Sequence, residues 1–297
     1  MAERDGKLSL EQFLARRWHF EDYLRSQGMS EQNVAQEAAE SFAVVAEEHP
    51  DWSKDRVRTA LALSYLTMDL KEVAIARRFT LADPTELGRG LSVLSRLRWL
   101  ENLIGGHTHV DFQVLVDAFA VRDLAVAQYL TQGEPAISQG PPEFLDLCTV
   151  AVAAVYRKDF AEVQSVLRKM AKQKLRPWQQ GIQQYLTGVA DHQPKQVADG
   201  LALLLDGMRK MRQKDEFEEA INLPAQGLYR LAEWIGPDLV AEFDVNQPFP
   251  WDAEFHAWCQ SHPEPLAGVD LTGIELALHQ AVVHLQPPAE WVLTASR

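Results

Sequence analysis

The residues best equipped for chemistry lie in Gly105-Gly106-His107-Thr108-His109-Val110-Asp111. Two histidines one residue apart bind zinc or nickel when they end a buried strand and further His and Asp converge from later strands. Here the preceding segment has helical periodicity, and no alternation of strands and helices accompanies it. Asp111 is therefore assigned to capping a helix that starts at Phe112, and the residues before it to an exposed loop between two helical halves. A second trio, His256, Cys259 and His262, falls at three-residue spacing, roughly one side of a helix. A structural zinc needs four ligands, and no second His or Cys pair with the usual spacing follows. Cys259 reads as a small buried hydrophobe. His279 and His284, five apart, share no helix face closely and carry no role.

Other chemistries lack their residues. There is no Gly-x-Ser-x-Gly elbow, and Gly88-Arg89-Gly90 lies inside a helical pattern without the rest of a dinucleotide fingerprint. Glu218 and Glu219 are adjacent, and neighbouring helical residues diverge by about 100°, so they form no acid and base pair. The sequence thus predicts a protein without catalysis, cofactor or metal, whose function resides in a surface.

Charge points to which surface. The net charge is −13, and from Asp215 to Arg297 fourteen Asp or Glu face only Arg230 and Arg297. The first 214 residues are nearly balanced, with 28 acids against 27 bases. Such a concentrated field steers a basic partner inward and repels nucleic acid and anionic membrane. Glu216, Glu218, Glu219, Glu233, Asp238, Glu242, Asp244, Asp252 and Glu254 make this acidic surface, with Phe249 and Trp251 as its apolar anchor in a proline and aromatic loop. Two basic clusters, Arg168, Lys169, Lys172, Lys174, Arg176 and Arg209, Lys210, Arg212, Lys214, fall at the C-terminal ends of predicted helices, where cations suit the helix dipole. With a pI near 5.2, they are read as dipole partners or as pairing with the neighbouring acidic segment, and no nucleic acid is expected.

The elements that must position these residues are helical throughout. Leu10, Phe13, Leu14, Trp18, Tyr23 and Leu24 form one stripe, Val34, Ala38, Phe42, Val45 and Ala46 a second, and Val57 to Ile75 a third. Asp83-Pro84-Thr85-Glu86 is a helix start, with a capping Asp, a proline at the first position and a Glu three residues on; that helix should end at Gly105-Gly106. Beyond it the pattern repeats: Arg122-Asp123-Leu124-Ala125 and Lys158-Asp159-Phe160-Ala161 lie 36 positions apart, each between an apolar helix and an amphipathic one. A looser third unit turns at Asp191-His192-Gln193-Pro194. Units of this length read as stacked antiparallel helical hairpins, a divergent array of tetratricopeptide type without that motif's own residues. Further helices are expected over 223–234, 252–260 and 273–285. The predicted fold is all-α, a single domain over 1–297 with a sub-boundary at 105–110.

No apolar stretch of signal-peptide kind follows the charged N-terminus, and no eighteen-residue apolar run occurs. Cys148 and Cys259, 111 positions apart, make no disulfide framework. A cytoplasmic location without membrane contact is expected. Oligomeric state is left open.

The hairpin from Phe144-Leu145-Asp146-Leu147-Cys148 through Lys158-Asp159-Phe160 to Leu167 resembles the Imm49 type of immunity proteins from bacterial polymorphic toxin systems. So does the helix Leu223-Pro224-Ala225-Gln226-Gly227-Leu228, followed by Gly236 and Pro248-Phe249-Pro250. The resemblance covers about the last two thirds of the chain and contains no catalytic motif. It implies an all-α cytoplasmic protein that binds and neutralises a cognate protein toxin. The alternative is a helical-repeat scaffold or regulator that takes a peptide or protein in a groove.

Overall fold

A computed structural model describes Thr67 and residues 71–105, 111–132, 142–210, 220–247 and 250–262. They are helical and loop residues, with no strand among them. Helix α1 covers 71–80. It is followed by α2 (Pro84–Gly105), α3 (Phe112–Ala120), α4 (Leu124–Gln132), α5 (Phe144–Tyr156), α6 (Phe160–Met170), α7 (Pro177–Ala190), α8 (Pro194–Arg209), α9 (Leu223–Ile235), a 3-10 turn (Pro237–Val240) and α10 (Ala253–Ser261). The fold class is all-α, as the periodicity predicts. The stripes before residue 67, the His107 and His109 loop and the helix expected over 273–285 lie outside the described residues.

Local signals set the helix starts. Asp111 accepts from Val114 N at 2.8 Å, Asp159 from Glu162 N at 3.0 Å and Asn222 from Ala225 N at 2.9 Å. Each side chain satisfies a backbone donor that the first helical turn leaves unpaired. The three hairpin turns share one geometry. Arg122, Lys158 and His192 have φ of 55°, 60° and 53°, and each lies one residue beyond a helix's last cap. Their N–H groups bond Phe119, Val155 and Val189, and the next N–H groups reach back to Ala118, Ala154 and Gly188. This is a Schellman closure built without glycine. The residue that completes it, Asp123, Asp159 or Gln193, is also the cap of the following helix, which is why so short a polar segment reverses the chain.

The third hairpin departs from expectation. Its periodicity reads as the loosest, yet α7 and α8 approach backbone to backbone. A Cβ on Gly181 would sit 2.8 Å from Leu204 Cα, on Gly188 2.6 Å from Val197 N, on Gly200 2.8 Å from Tyr185 Cα, and on Gly207 2.5 Å from Trp178 N. Glycines seven apart on both helices form a seam that admits no side chain. Gly200→Ala should therefore destabilise the protein by about 1–3 kcal/mol in chemical denaturation, against the small gain that Gly→Ala gives in an open helix. A stabilised Gly200→Ala would refute the close approach.

The hairpins also do not simply stack in chain order. Helix α9 returns to lie beside α3, its Gly227 pressed on the Val116 backbone. It touches α5 and α8 as well, and Tyr185 of α7 donates to Leu228 O at 2.6 Å. The faces that an open array would expose are covered here by the chain itself. Across the 105–110 break, α2 packs on α3, α4 and α10, so Val93 and Leu97 share a buried cluster with Phe112 and Leu115.

Candidate partner-binding surface

Helix α9 organises the acidic region. From Ala225 to Ala232 it is buried on every side, so only its last turn surfaces. Arg230, 2% exposed, donates from Nη1 to Glu233 Oε2 at 3.0 Å and from Nη2 to the His256 carbonyl at 2.7 Å. Glu233 also accepts from Gln260 at 2.7 Å and from Arg122. Burial works to raise the Glu233 carboxyl, but the bonds from Gln260 and Arg122 and the nearby Arg230 hold it below the ordinary range. Glu233 is thus an internal strut joining the first hairpin turn to α9 and α10, rather than a free surface charge.

Two expected surface residues are buried. Trp251 is 4% exposed; it meets Phe243 at 5.0 Å, Tyr229 at 5.7 Å and His256 at 5.5 Å between ring centroids. Its Nε1 donates to Val245 O at 2.9 Å. The loop's tryptophan anchors the loop to the protein, because a large ring with one polar atom finds both apolar contact and an acceptor inside. Asp252 is 7% exposed. Its two oxygens take Arg78 Nε at 2.7 Å and Nη2 at 3.0 Å, and Oδ1 also caps α10 by accepting from Phe255 N at 2.9 Å. Neither residue can meet a partner, so both leave the predicted surface.

The remainder of that set divides. Asp238, Glu242, Asp244 and Glu254 are exposed. Asp238 Oδ2 pairs with His192 Nε2 at 2.7 Å, Asp244 accepts from Asn246 N at 2.9 Å, and Glu254 adds a bond to Arg78 at 2.7 Å. Glu216, Glu218, Glu219 and Phe249 lie outside the described residues.

The structure supplies an aromatic that the sequence reading did not select. Trp234 is 50% exposed and stacks on Tyr156 at 6.4 Å with an 18° interplanar angle. Three contacts fix its place: Glu233 with Arg122 of the first turn, Trp234 with Tyr156 at the end of α5, and Asp238 with His192 of the third turn. The segment 233–238 therefore runs along the turn end of all three hairpins, with Trp234 at its middle. Periodicity gave no signal for it, because α9 is buried on every side through Ala232 and Trp234, three residues past Leu231, lies toward the same face of the helix.

Among the described residues, nucleophiles and ligands do not gather elsewhere. His256 faces Tyr229 at 4.9 Å, Cys259 Sγ lies 3.5 Å from Ala120 O, and His262 stacks on Trp258 at 4.5 Å. These three side chains point into different surroundings, and no group of three His, Cys, Asp or Glu converges among the described residues. Burial pushes the Cys259 thiol up to about 11 and the Cys148 thiol well above its ordinary value, so both stay protonated and unreactive. No helix among the described residues is long and apolar enough to cross a membrane. Compared with protein-family models, curated proteins and solved structures, the chain matches none.

Proposed function

We propose that this protein is a non-catalytic immunity protein that captures a basic toxin face at the turn end of its hairpins. The observation that carries the reading is Trp234, half-exposed on Tyr156 at the turn end of the hairpins, in a segment that continues with the exposed acids Asp238, Glu242 and Asp244. An exposed tryptophan on an aromatic support, in a segment of exposed acids, has the composition of a binding hot spot. The resemblance to Imm49-type proteins and the charge segregation along the chain point the same way, and such a role belongs in the cytoplasm. The rival reading, a scaffold holding a peptide in a groove, has less support, because α9 covers the faces of α3 and α5.

The test uses the product of the neighbouring gene, which this reading expects to be a toxin. Trp234→Ala should weaken binding by about 2 kcal/mol or more, some thirtyfold in Kd, and abolish protection on co-expression. Reversing Asp238, Glu242 and Asp244 to Lys should slow association and reduce its dependence on salt, since exposed charges act within a Debye length of about 8 Å at physiological ionic strength. Reversing Glu37, Glu40 and Glu47 should change little. Binding that ignores Trp234 and the three acids, yet is lost on the N-terminal reversals, would place the interface elsewhere.

A further inference from the structure

Trp234 is open to solvent, and something must hold it in place. Its ring pair with Tyr156 spans 6.4 Å between centroids, near the far limit at which aromatic pairs attract. So weak a contact does not by itself fix a half-exposed indole. The placement of Trp234 therefore falls to the backbone beneath it, the last turn of α9. Helix ends fray, and this one has few bonds of its own. Gly236 N closes it on Ala232 O at 2.9 Å, and Pro237 has no N–H to add another. Ile235 is only half-buried against the hairpin core. The Asp238–His192 pair beyond it is exposed on both sides, and such pairs contribute little. What remains is Glu233.

Glu233 is an acid in the last turn of a helix, where the dipole opposes it and favours a cation. Balancing the buried Arg230, three residues before it, explains a carboxylate here. That role needs one oxygen, Oε2, which takes Arg230 Nη1 at 3.0 Å. Two further donors arrive from outside α9: Arg122 of the first hairpin turn bonds Oε2, and Gln260 near the end of α10 bonds Oε1 at 2.7 Å. Neither is required to balance Arg230, and Arg122 adds a second cation to a charge already matched. Both oxygens of the carboxylate are thus tied to separate elements, one residue before Trp234.

We propose that Arg122 and Gln260 are positioning residues for Trp234, which clamp the last turn of α9 through Glu233 and present the indole to a partner already ordered. An anchor ordered before binding avoids the entropy cost of ordering it in the complex. Neither residue needs to touch the partner. The role in binding rests on the function proposed above, whereas the ordering of the ring stands without it.

Fluorine NMR of the full chain labelled with 5-fluorotryptophan reads the clamp directly. The eight tryptophans give eight resonances, and Trp234→Phe and Trp178→Phe identify two of them. In Arg122→Asn with Gln260→Ala the Trp234 resonance should narrow and move toward its position in the unfolded chain, while that of Trp178 stays in place. Asn tolerates the φ of 55° at residue 122, and Gln260 is exposed, so both changes leave the fold intact, which circular dichroism checks. Arg122→Lys with Gln260 kept, which retains a cation for Glu233, should hold the resonance near its wild-type position.

Binding to the product of the neighbouring gene gives a second readout. The double variant should weaken it by about two- to tenfold, the cost of immobilising one such side chain, and should have no effect once Trp234 is Ala. A Trp234 resonance that the double variant leaves unmoved overturns the clamp. So does an equal loss of affinity with and without Trp234, since Arg122 or Gln260 would then act on the partner directly. Binding that survives Trp234→Ala refutes the proposed function instead, and the fluorine spectrum still decides the clamp.

Discussion

Asp252→Ala is expected to cost about 3–5 kcal/mol of folding stability, because it removes one partner of a buried ion pair and leaves the other charged. Arg78 is 5% exposed, and its guanidinium is planar and holds its proton, so it cannot relieve the loss by neutralising. Burial tends to lower its basicity, but the bonds and charges of Asp252 and Glu254 prevail and raise it. The same carboxylate caps α10, so the helix start is lost as well, worth about 1 kcal/mol by itself. Glu254→Ala removes a bond to the same guanidinium, but from a side chain 73% exposed; its cost should stay below about 1 kcal/mol. Urea unfolding of the two variants decides the matter. If Asp252→Ala costs no more than Glu254→Ala, the buried pair is not what fixes α10 to α1.

The second large effect is a loss of stability in acid that resides in His256. Burial, and then the charge of Arg230, push its imidazole down from 6.5 to about 4. The unfolded chain takes up the proton first, so the folded state is fully favoured above pH 6.5. That contribution is lost as pH falls from 6.5 through about 4. The whole interval is worth roughly 3 kcal/mol. His256→Phe keeps a ring against Tyr229 and Trp251 and leaves the His256 carbonyl bond to Arg230 in place, so it should fold and show a flatter profile. Unfolding midpoints at several pH values between 7.5 and 4.5 compare the two. Equal slopes in wild type and variant would show that the acid sensitivity belongs to other groups.

Much of the fold is legible in local sequence because its determinants are local. Asp83-Pro84, Asp111, Asp159 and Asn222 each start a helix within three residues of the group they satisfy. The repeat of Arg122-Asp123 at Lys158-Asp159 announces a shared turn, and the positive φ at both shows what it requires. The glycine seam of α7 and α8 escapes a reading based on apolar periodicity, since glycine carries no hydrophobic signal and its value lies in what it lets approach.

The predicted surface fared differently, residue by residue. Asp238, Glu242, Asp244 and Glu254 are exposed, whereas Trp251 and Asp252, adjacent to them in sequence, are inside. Charge density along a chain measures how many acids a segment holds and is blind to cations that arrive from a distance. Arg78 reaches Asp252 across 174 positions, and Arg122 reaches Glu233 across 111.

The sequence by itself determined that this protein is all-α, where its helices begin, and that its acids collect toward one end of the chain. These follow from capping, periodicity and composition, which act over a few residues or none. Only the tertiary structure decided which charges are internal struts and which face solvent, and that Trp234 rather than Trp251 lies open. Each of those is a relation between segments remote in sequence, set when α9 folds back across the hairpins and fixes what the chain buries.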